Sequence, residues 1–278
     1  MHSALVLALC WFCLQSFPGF AQQNVLTYHN DNQRTGQNLN ESILTPANVN
    51  QSQFGQFFSY NVDGWIVGQP LYMQNVTITN QGNNLGAHNV IYVATLHDSV
   101  YAFDADSGSA NGGAPLWQVS FINPASGITT VPATEAGCQN VTKFTEQGVI
   151  GTPVIDPTTN TMYLVAKTKE NGAYFQRLHA ISINDGSEKF GGPVTISASL
   201  PGTGDGGSTI NFNALNEMSR TGVVLDHNTV YLTFSANGCK QVANHGWTLA
   251  YDASTLAQIA AFSTTPNTNN GGTWQSGS

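Results

Sequence analysis

Charge is what this sequence has least of. Only 9% of its 278 residues are Asp, Glu, Lys or Arg, against roughly a quarter in an average soluble domain. The 8 Lys+Arg are scattered and outnumbered by 16 Asp+Glu, for a formal net charge of −8. Nucleic-acid binding driven by counterion release needs basic side chains clustered against the phosphates. No such cluster occurs, so nucleic acid is a poor partner and anionic membrane surfaces are disfavoured. No apolar run reaches the roughly 20 residues that span a bilayer, and no stretch holds a helical period. What is there is a hydrophobic content of 41%, ample for a buried core, with Asn, Gln, Ser and Thr supplying the polarity.

The first 21 residues read as a secretory signal peptide. Ala4 to Phe12 is a short apolar core, and Gly19-Phe20-Ala21 places small residues at −1 and −3 of a cleavage after Ala21. The leader departs from the pattern in carrying His2 but no Lys or Arg ahead of that core. Cys10 follows Leu9 rather than a small residue, which argues against lipidation. The mature chain is therefore expected to be secreted or periplasmic. It keeps only Cys138 and Cys239, about 100 residues apart. In an oxidising compartment these are a disulfide candidate, and metal ligation by two lone thiols is the weaker alternative.

Short runs rich in Val, Ile, Tyr, Phe and Thr alternate with Gly, Asn, Asp and Pro clusters, as strands and turns do. Three segments of such runs align with one another. The first comprises Gln69–Tyr72, Asn89–Thr95, Ser99–Asp104 and Leu116–Phe121. In the second they are Thr152–Asp156, Thr161–Ala166, Arg177–Ser182, and Glu188–Phe190 running into Pro193–Ile196. The third has Thr221–Leu225, Thr229–Phe234, Trp247–Asp252 and Ala257–Phe262. The aligned tyrosines Tyr92, Tyr163 and Tyr231 are spaced by 71 and 68, and the aligned alanines Ala102, Ala180 and Ala250 by 78 and 70.

Each unit is thus a four-stranded meander, and one such meander alone leaves an apolar face bare. Stacking the units radially solves this, so the expected class is all-β: a β-propeller of four-stranded antiparallel blades. Three units are too few for a ring of typically 4–8 blades. A fourth is expected to begin at Gly272-Thr273-Trp274, the blade set being partial. Residues 22–62 form an N-terminal segment in which Phe54–Val62 is a candidate ring-closing strand, and 63–278 form the propeller.

The turns after the third strands carry a motif. Ala102-Phe-Asp-Ala-Asp-Ser-Gly108 with Trp117, Ala180-Ile-Ser-Ile-Asn-Asp-Gly186 with Phe190, and Ala250-Tyr-Asp-Ala-Ser-Thr255 resemble the repeat of pyrroloquinoline quinone (PQQ)-type, quinoprotein-like propellers. That repeat runs Ala-x-Asp-x-x-Thr-Gly-x-x-x-Trp, its aromatic docking on the neighbouring blade. The copies depart from it: a Gly-rich insertion precedes Trp117, Ser182 replaces Asp, Phe190 replaces Trp, Leu256 stands where Gly belongs and Ala260 at the aromatic position. Leu26 to Gly36 is similar to a leader of bacterial secreted members. The resemblance covers roughly 65–278 and implies the fold rather than an activity, since such propellers serve dehydrogenases and assembly scaffolds alike. Dehydrogenase members use vicinal cysteines against PQQ and a calcium site, and neither motif occurs in the mature chain. No cofactor residue is carried over.

Candidate sites follow from placement. His97 and His245 each stand five residues before the repeat alanine, at equivalent corners on one face of the ring, so His97-Asp98 and His245-Gly-Trp247 are a candidate binding surface offering imidazole and indole. Tyr28-His29-Asn30-Asp31 with Arg34 is a second polar cluster, in which Arg34 is expected to pair with Asp31 and pin the N-terminal segment; no Ser or Cys nucleophile accompanies it. Gly202-Thr-Gly-Asp-Gly-Gly207 matches G-x-G-x-x-G literally, but a dinucleotide site needs a helix after it and none is expected. Asp104-Ala-Asp106-Ser-Gly108 lacks the remaining calcium-loop ligands and reads as a turn capped by carboxylates.

The expected function is an exported scaffold that binds a protein, small molecule or glycan, with no complete catalytic set. One alternative is a PQQ- and calcium-dependent dehydrogenase whose site lies partly in blades beyond this sequence. Another is an extracellular carbohydrate binder using Trp247 and the Asn- and Gln-rich loops.

Overall fold

The computed structural model describes residues 23–79, 85–137, 144–236 and 244–273. The expected signal peptide, the disulfide candidates Cys138 and Cys239, and Trp274 lie outside the described residues. Among these there is no α-helix; the chain is all-β and propeller-type.

The first blade is the antiparallel meander β1 (Leu71–Ile78), β2 (Gly86–Ala94), β3 (Ser99–Asp104) and β4 (Trp117–Ser120). A strap of β5 (Ile128–Pro132) and β6 (Glu146–Gln147) leads to the second blade, β7 (Val154–Asp156), β8 (Thr161–Glu170), β9 (Ala173–Ser182) and β10 (Val194–Thr195). A small hairpin, β11 (Ser199–Pro201) and β12 (Thr209–Asn211), precedes β13 (Glu217–Met218). The third blade is β14 (Val224–Asp226), β15 (Thr229–Ala236), β16 (Trp247–Asp252) and β17 (Gln258–Ser263).

The blade strands fall near where the sequence places them, with differences: β1 continues past Tyr72 to Ile78, Glu188–Phe190 forms only an isolated bridge at Glu188, and β8 and β9 run further. They reach a two-residue turn at Asn171-Gly172, both at positive φ (49° and 91°), as tight hairpins require. The polar run Lys167-Thr-Lys-Glu170 hid this extension, and its end pairs with β5.

The repeat marks the register. The aligned tyrosines and alanines are direct cross-strand partners in every blade: Tyr92 with Ala102, Tyr163 with Ala180, Tyr231 with Ala250. Blades then stack face to face through alternating side chains. Met162, Leu164 and Ala166 pack toward the first blade, while Tyr163 and Val165 pack toward the third. The Tyr92 hydroxyl donates to Ile183 O (3.0 Å) and that of Tyr163 to Ala253 O (2.9 Å). Each accepting carbonyl lies three residues past the next blade's repeat alanine, so both interfaces follow one rule.

The turn motif is also conserved in function across its departures. Asp104 Oδ1 accepts from the N–H groups of Asp106 and Ser107, and Asp252 Oδ1 from those of Ser254 and Thr255. Ser182 Oγ accepts from Asn184 N–H in the same two-residue step. Trp117 docks on the second blade with its Nε1–H on Ile183 O (3.0 Å). Gly186 makes room for it: φ is +77° and a Cβ there would lie 2.9 Å from the indole.

The first strands converge at a hub, where Gln69 N–H donates to Thr152 Oγ1 (2.8 Å) and Val223 N–H to Thr152 O (2.9 Å). The N-terminal segment crosses that hub. Val25 bridges Tyr72 on β1, Leu26 O accepts from Ile155 on β7, and Asn32 Nδ2 donates to Leu225 O on β14.

Phe54–Val62, expected as a strand, pairs with no strand. It lies across the first blade's outer face instead. Tyr60 stacks on Phe103 (4.3 Å) and donates to Asp104 O (3.2 Å) and Ser107 O (2.7 Å), beside Val93 and Tyr101. It thus covers the face opposite the one that meets the second blade. At the other end, Thr273 N–H donates to Phe234 O (3.1 Å) as Val149 N–H donates to Thr95 O (3.2 Å) on entering the second blade. Both carbonyls lie three residues beyond an aligned tyrosine, so Thr273 stands to the third blade as Val149 stands to the first.

Candidate functional site

The two predicted corners are joined by a buried polar network. Asp98 closes the β2–β3 turn at φ 54° and is fully buried. Its Oδ1 accepts from Lys167 N–H (3.3 Å), its Oδ2 has no partner, and burial pushes its carboxyl well above the usual carboxylate range. Gly148 permits this approach, since a Cβ there would lie 2.8 Å from the Asp98 carboxyl carbon.

Lys167, in mid-β8, is 2% exposed. Its ammonium donates to Gln147 Oε1 (3.0 Å), Leu215 O (2.9 Å) and Glu217 O (3.3 Å). Burial pulls its pKa down to about 7, against the raising pull of Glu217 and Asp98. Glu217 is also fully buried, and loss of solvation raises its carboxyl to about 8, partly offset by the His245 N–H and the Lys167 charge. Gln176 Nε2 ties the same loop down through Ala214 O (2.9 Å) and Glu217 O (2.8 Å).

His245 completes the chain. Its N–H donates to Glu217 Oε1 (3.0 Å), and its ring meets Thr265 O through Nδ1 (2.8 Å) and Asp205 through Nε2 (3.1 Å). Lys167 thereby links the first-blade turn to the third-blade corner. Lys167, Glu217 and Asp205 were not singled out from sequence. The signal for Lys167 was the alternation Tyr163, Val165, Lys167, which sets it on the face packed against the third blade. Glu217 and Asp205 carried none.

Burial corrects one expectation. Trp247 is 0% exposed and His245 1%, so neither the indole nor that imidazole offers a surface for a glycan. Trp247 belongs instead to the core between second and third blades.

His97 alone of these four reaches solvent, and its partner Glu146 lines an open cleft of about 580 Å³. Its Nδ1 lies 3.1 Å from both oxygens of Glu146, which also accepts from Thr130 Oγ1 (2.8 Å). Asp63 accepts from Thr95 Oγ1 (2.9 Å) and Ser99 Oγ (2.5 Å), and Trp65 O accepts from Leu96 N–H (2.9 Å). Trp65 and Phe144 meet edge to face, centroids 5.4 Å apart, and both are exposed. The cleft wall therefore hangs on the turn that Asp98 anchors.

His29 and Arg34 stand elsewhere, at the hub. His29 stacks on Tyr28 (4.0 Å) and its N–H donates to Gln69 Oε1 (3.0 Å). Arg34 does pin the segment, but through Thr27 Oγ1 (2.6 Å), Tyr28 O (2.7 Å) and Val223 O (3.4 Å) rather than through an ion pair with Asp31. Asp31 bonds Thr35, which lowers its pKa. Carbonyls win because the buried guanidinium fork meets backbone, whereas Asp31 lies outside at the turn.

Gly202–Gly207 joins β11 to β12, so a strand follows it, and its Asp205 is engaged by His245. Asp104 gives one oxygen to its turn and the other to His88 Nδ1 (2.7 Å). Among the described residues no three His, Cys, Asp or Glu side chains stand where they could hold a metal ion.

No family model and no curated protein matches the chain. Among solved structures it is similar to the quinohemoprotein alcohol dehydrogenase from Comamonas testosteroni, with TM-score 0.42 and 13% identity over 89% of this chain and 42% of that one. It is also similar to BamB from Moraxella catarrhalis, with TM-score 0.29 and 12% identity over 74% and 67%. The chain thus spans less than half the length of that dehydrogenase, and the blade assignment rests on the strand register itself.

Proposed function

We propose that the chain is an exported propeller scaffold that binds a ligand or partner protein at the cleft beside His97, without catalysis of its own. The observation that carries this is the exposed Trp65–Phe144 pair at the rim of a roofless cleft, held on a turn that buried groups lock. Large aromatic side chains left in solvent beside polar groups are what binding sites present. The groups with strongly shifted pKa values, Lys167, Asp98 and Glu217, are sealed from solvent, and Lys167 Nζ already bonds three acceptors. That is the arrangement of a structural lock rather than of a proton-transfer site. Export is supported by the leader-like residues 1–21, and a mature N-terminus at Gln22 by mass spectrometry tests it.

Immobilised full chain titrated with peptides, neutral and acidic oligosaccharides and organic cations tests the site. At least one class is expected to bind, and Trp65→Ala and Phe144→Ala are each expected to weaken it about tenfold at unchanged Tm. Binding indifferent to both substitutions would remove the cleft from consideration. Dye reduction on adding PQQ, calcium and an alcohol would replace the scaffold with a dehydrogenase.

A further inference from the structure

The cleft is acidic and apolar at once. Trp65, 52% exposed, and Ile66, 44% exposed, line it, and Phe144, 40% exposed, packs edge to face on Trp65. Asp63 and Glu146 line the same space, and no Lys or Arg does so among the described residues. The negative face of an aromatic ring attracts a cation within about 6 Å, and two carboxylates beside it add to the pull. The formal net charge of −8 steers an approaching cation the same way.

Several of the chain's own cations are already engaged. Arg34 and Lys167 are buried, while Lys169 and Arg177 pair with Glu135 and Glu170. Lys143, the cation nearest in sequence, lies outside the described residues.

From this charge complementarity we infer that the cleft takes an arginine or lysine side chain presented by an apolar-flanked peptide segment of a partner protein. The cation sits between the Trp65 ring and the Glu146 and Asp63 carboxylates, and the flanking apolar residues lie on Ile66. Asp63 is held by Thr95 and Ser99, and Trp65 O by Leu96 N–H, so little ordering remains to be done on binding. The inference rests on the cleft being the binding site proposed above.

A fluorescein-labelled peptide Gly-Leu-Arg-Leu-Gly and its twin with neutral, isosteric citrulline for Arg provide the test, by anisotropy with the full chain. At low salt the Arg peptide is expected to bind about tenfold tighter, the gap shrinking as salt rises. Glu146→Gln and Asp63→Asn should each narrow the gap, and Trp65→Ala should weaken both peptides. Equal binding of the twins, both lost in Trp65→Ala, would overturn the cationic class while leaving the cleft a binding site. Arginine amide binding as tightly as the peptide, or a neutral oligosaccharide displacing it with a Trp65 dependence, would overturn the peptide partner. Peptide binding unmoved by Trp65→Ala, or no binding of either twin, would overturn the inference.

Discussion

The two blade interfaces share one geometry and fill it differently. Between the first and second blades, Tyr92 and Trp117 converge on Ile183 O beside an apolar cluster of Leu71, Val100, Met162, Leu164 and Ile181, and buried Asp98 accepts from Lys167 N–H. Between the second and third, Tyr163 makes the same bond to Ala253 O, but no aromatic docks from the fourth strand. Phe190 is 36% exposed with the Lys189 ammonium 5.2 Å from its ring, and Ala260 occupies the third blade's position. The polar chain Lys167–Glu217–His245 stands at that interface. One repeat can thus be closed by a greasy anchor, which is indifferent to pH, or by buried charges, which are not.

Removing the anchor should have the largest effect. Trp117→Ala takes away a 2%-exposed indole and its bond, and a loss of about 3–5 kcal/mol is expected, read as a fall in the urea midpoint. Lys167→Met keeps the bulk but leaves Gln147, Leu215 O and Glu217 O short of a donor. A loss of about 3 kcal/mol is expected. A loss below about 0.5 kcal/mol would mean that Lys167 does not fasten the second blade to the third.

The pH dependence separates the two interfaces more finely. Glu217 holds its proton up to about 8 when folded, against 4.5 ordinarily. Across that window the folded state binds a proton the unfolded state has released, so stability falls as pH rises. Lys167 releases its proton near 7 when folded, against 10.5 ordinarily. Between those values the unfolded state holds the extra proton, and stability climbs with pH. Together they give a trough near neutrality, softened by the attraction between the two groups. Glu217→Gln should lose its own share of the falling limb, buried Asp98 keeping the rest, so that the variant's stability relative to wild type improves steadily from pH 5 to pH 7. Urea titrations at four pH values check this. Curves that stay parallel would show that Glu217 is not protonated in the fold.

Much of the fold was legible because repetition is visible in sequence. The tyrosine and alanine columns turned out to be cross-strand partners, and Ser182 replaced an Asp without losing the turn bond. The site was less legible because its parts come from far apart. His97 and Asp98 were found by their offset from the repeat alanine, yet offset says nothing of burial, and Trp247 proved to be core. Glu217 and Asp205 lie in connections without a repeat, and only folding brings them to Lys167 and His245. Trp65 and Phe144 are ordinary apolar letters whose exposure depends on which surfaces the neighbouring turns leave uncovered. Phe54–Val62 alternates like a strand, but alternation fixes which side is greasy and leaves pairing to whatever edge is present.

The smallest expected effects are those of the three repeat tyrosines, and their order is informative. Tyr163→Phe removes the hydroxyl that donates to Ala253 O and should cost about 1–2 kcal/mol, because the buried carbonyl is left without that donor. Tyr92→Phe should cost less, about 0.5–1 kcal/mol, since Ile183 O keeps the Trp117 N–H. Tyr231 is 38% exposed, so Tyr231→Phe should be neutral within about 0.5 kcal/mol. If Tyr231→Phe instead costs as much as Tyr163→Phe, the outer face of the third blade must be covered in solution. The interblade rule would then name what covers it: a sheet that offers a carbonyl three residues past a small residue opposite the tyrosine.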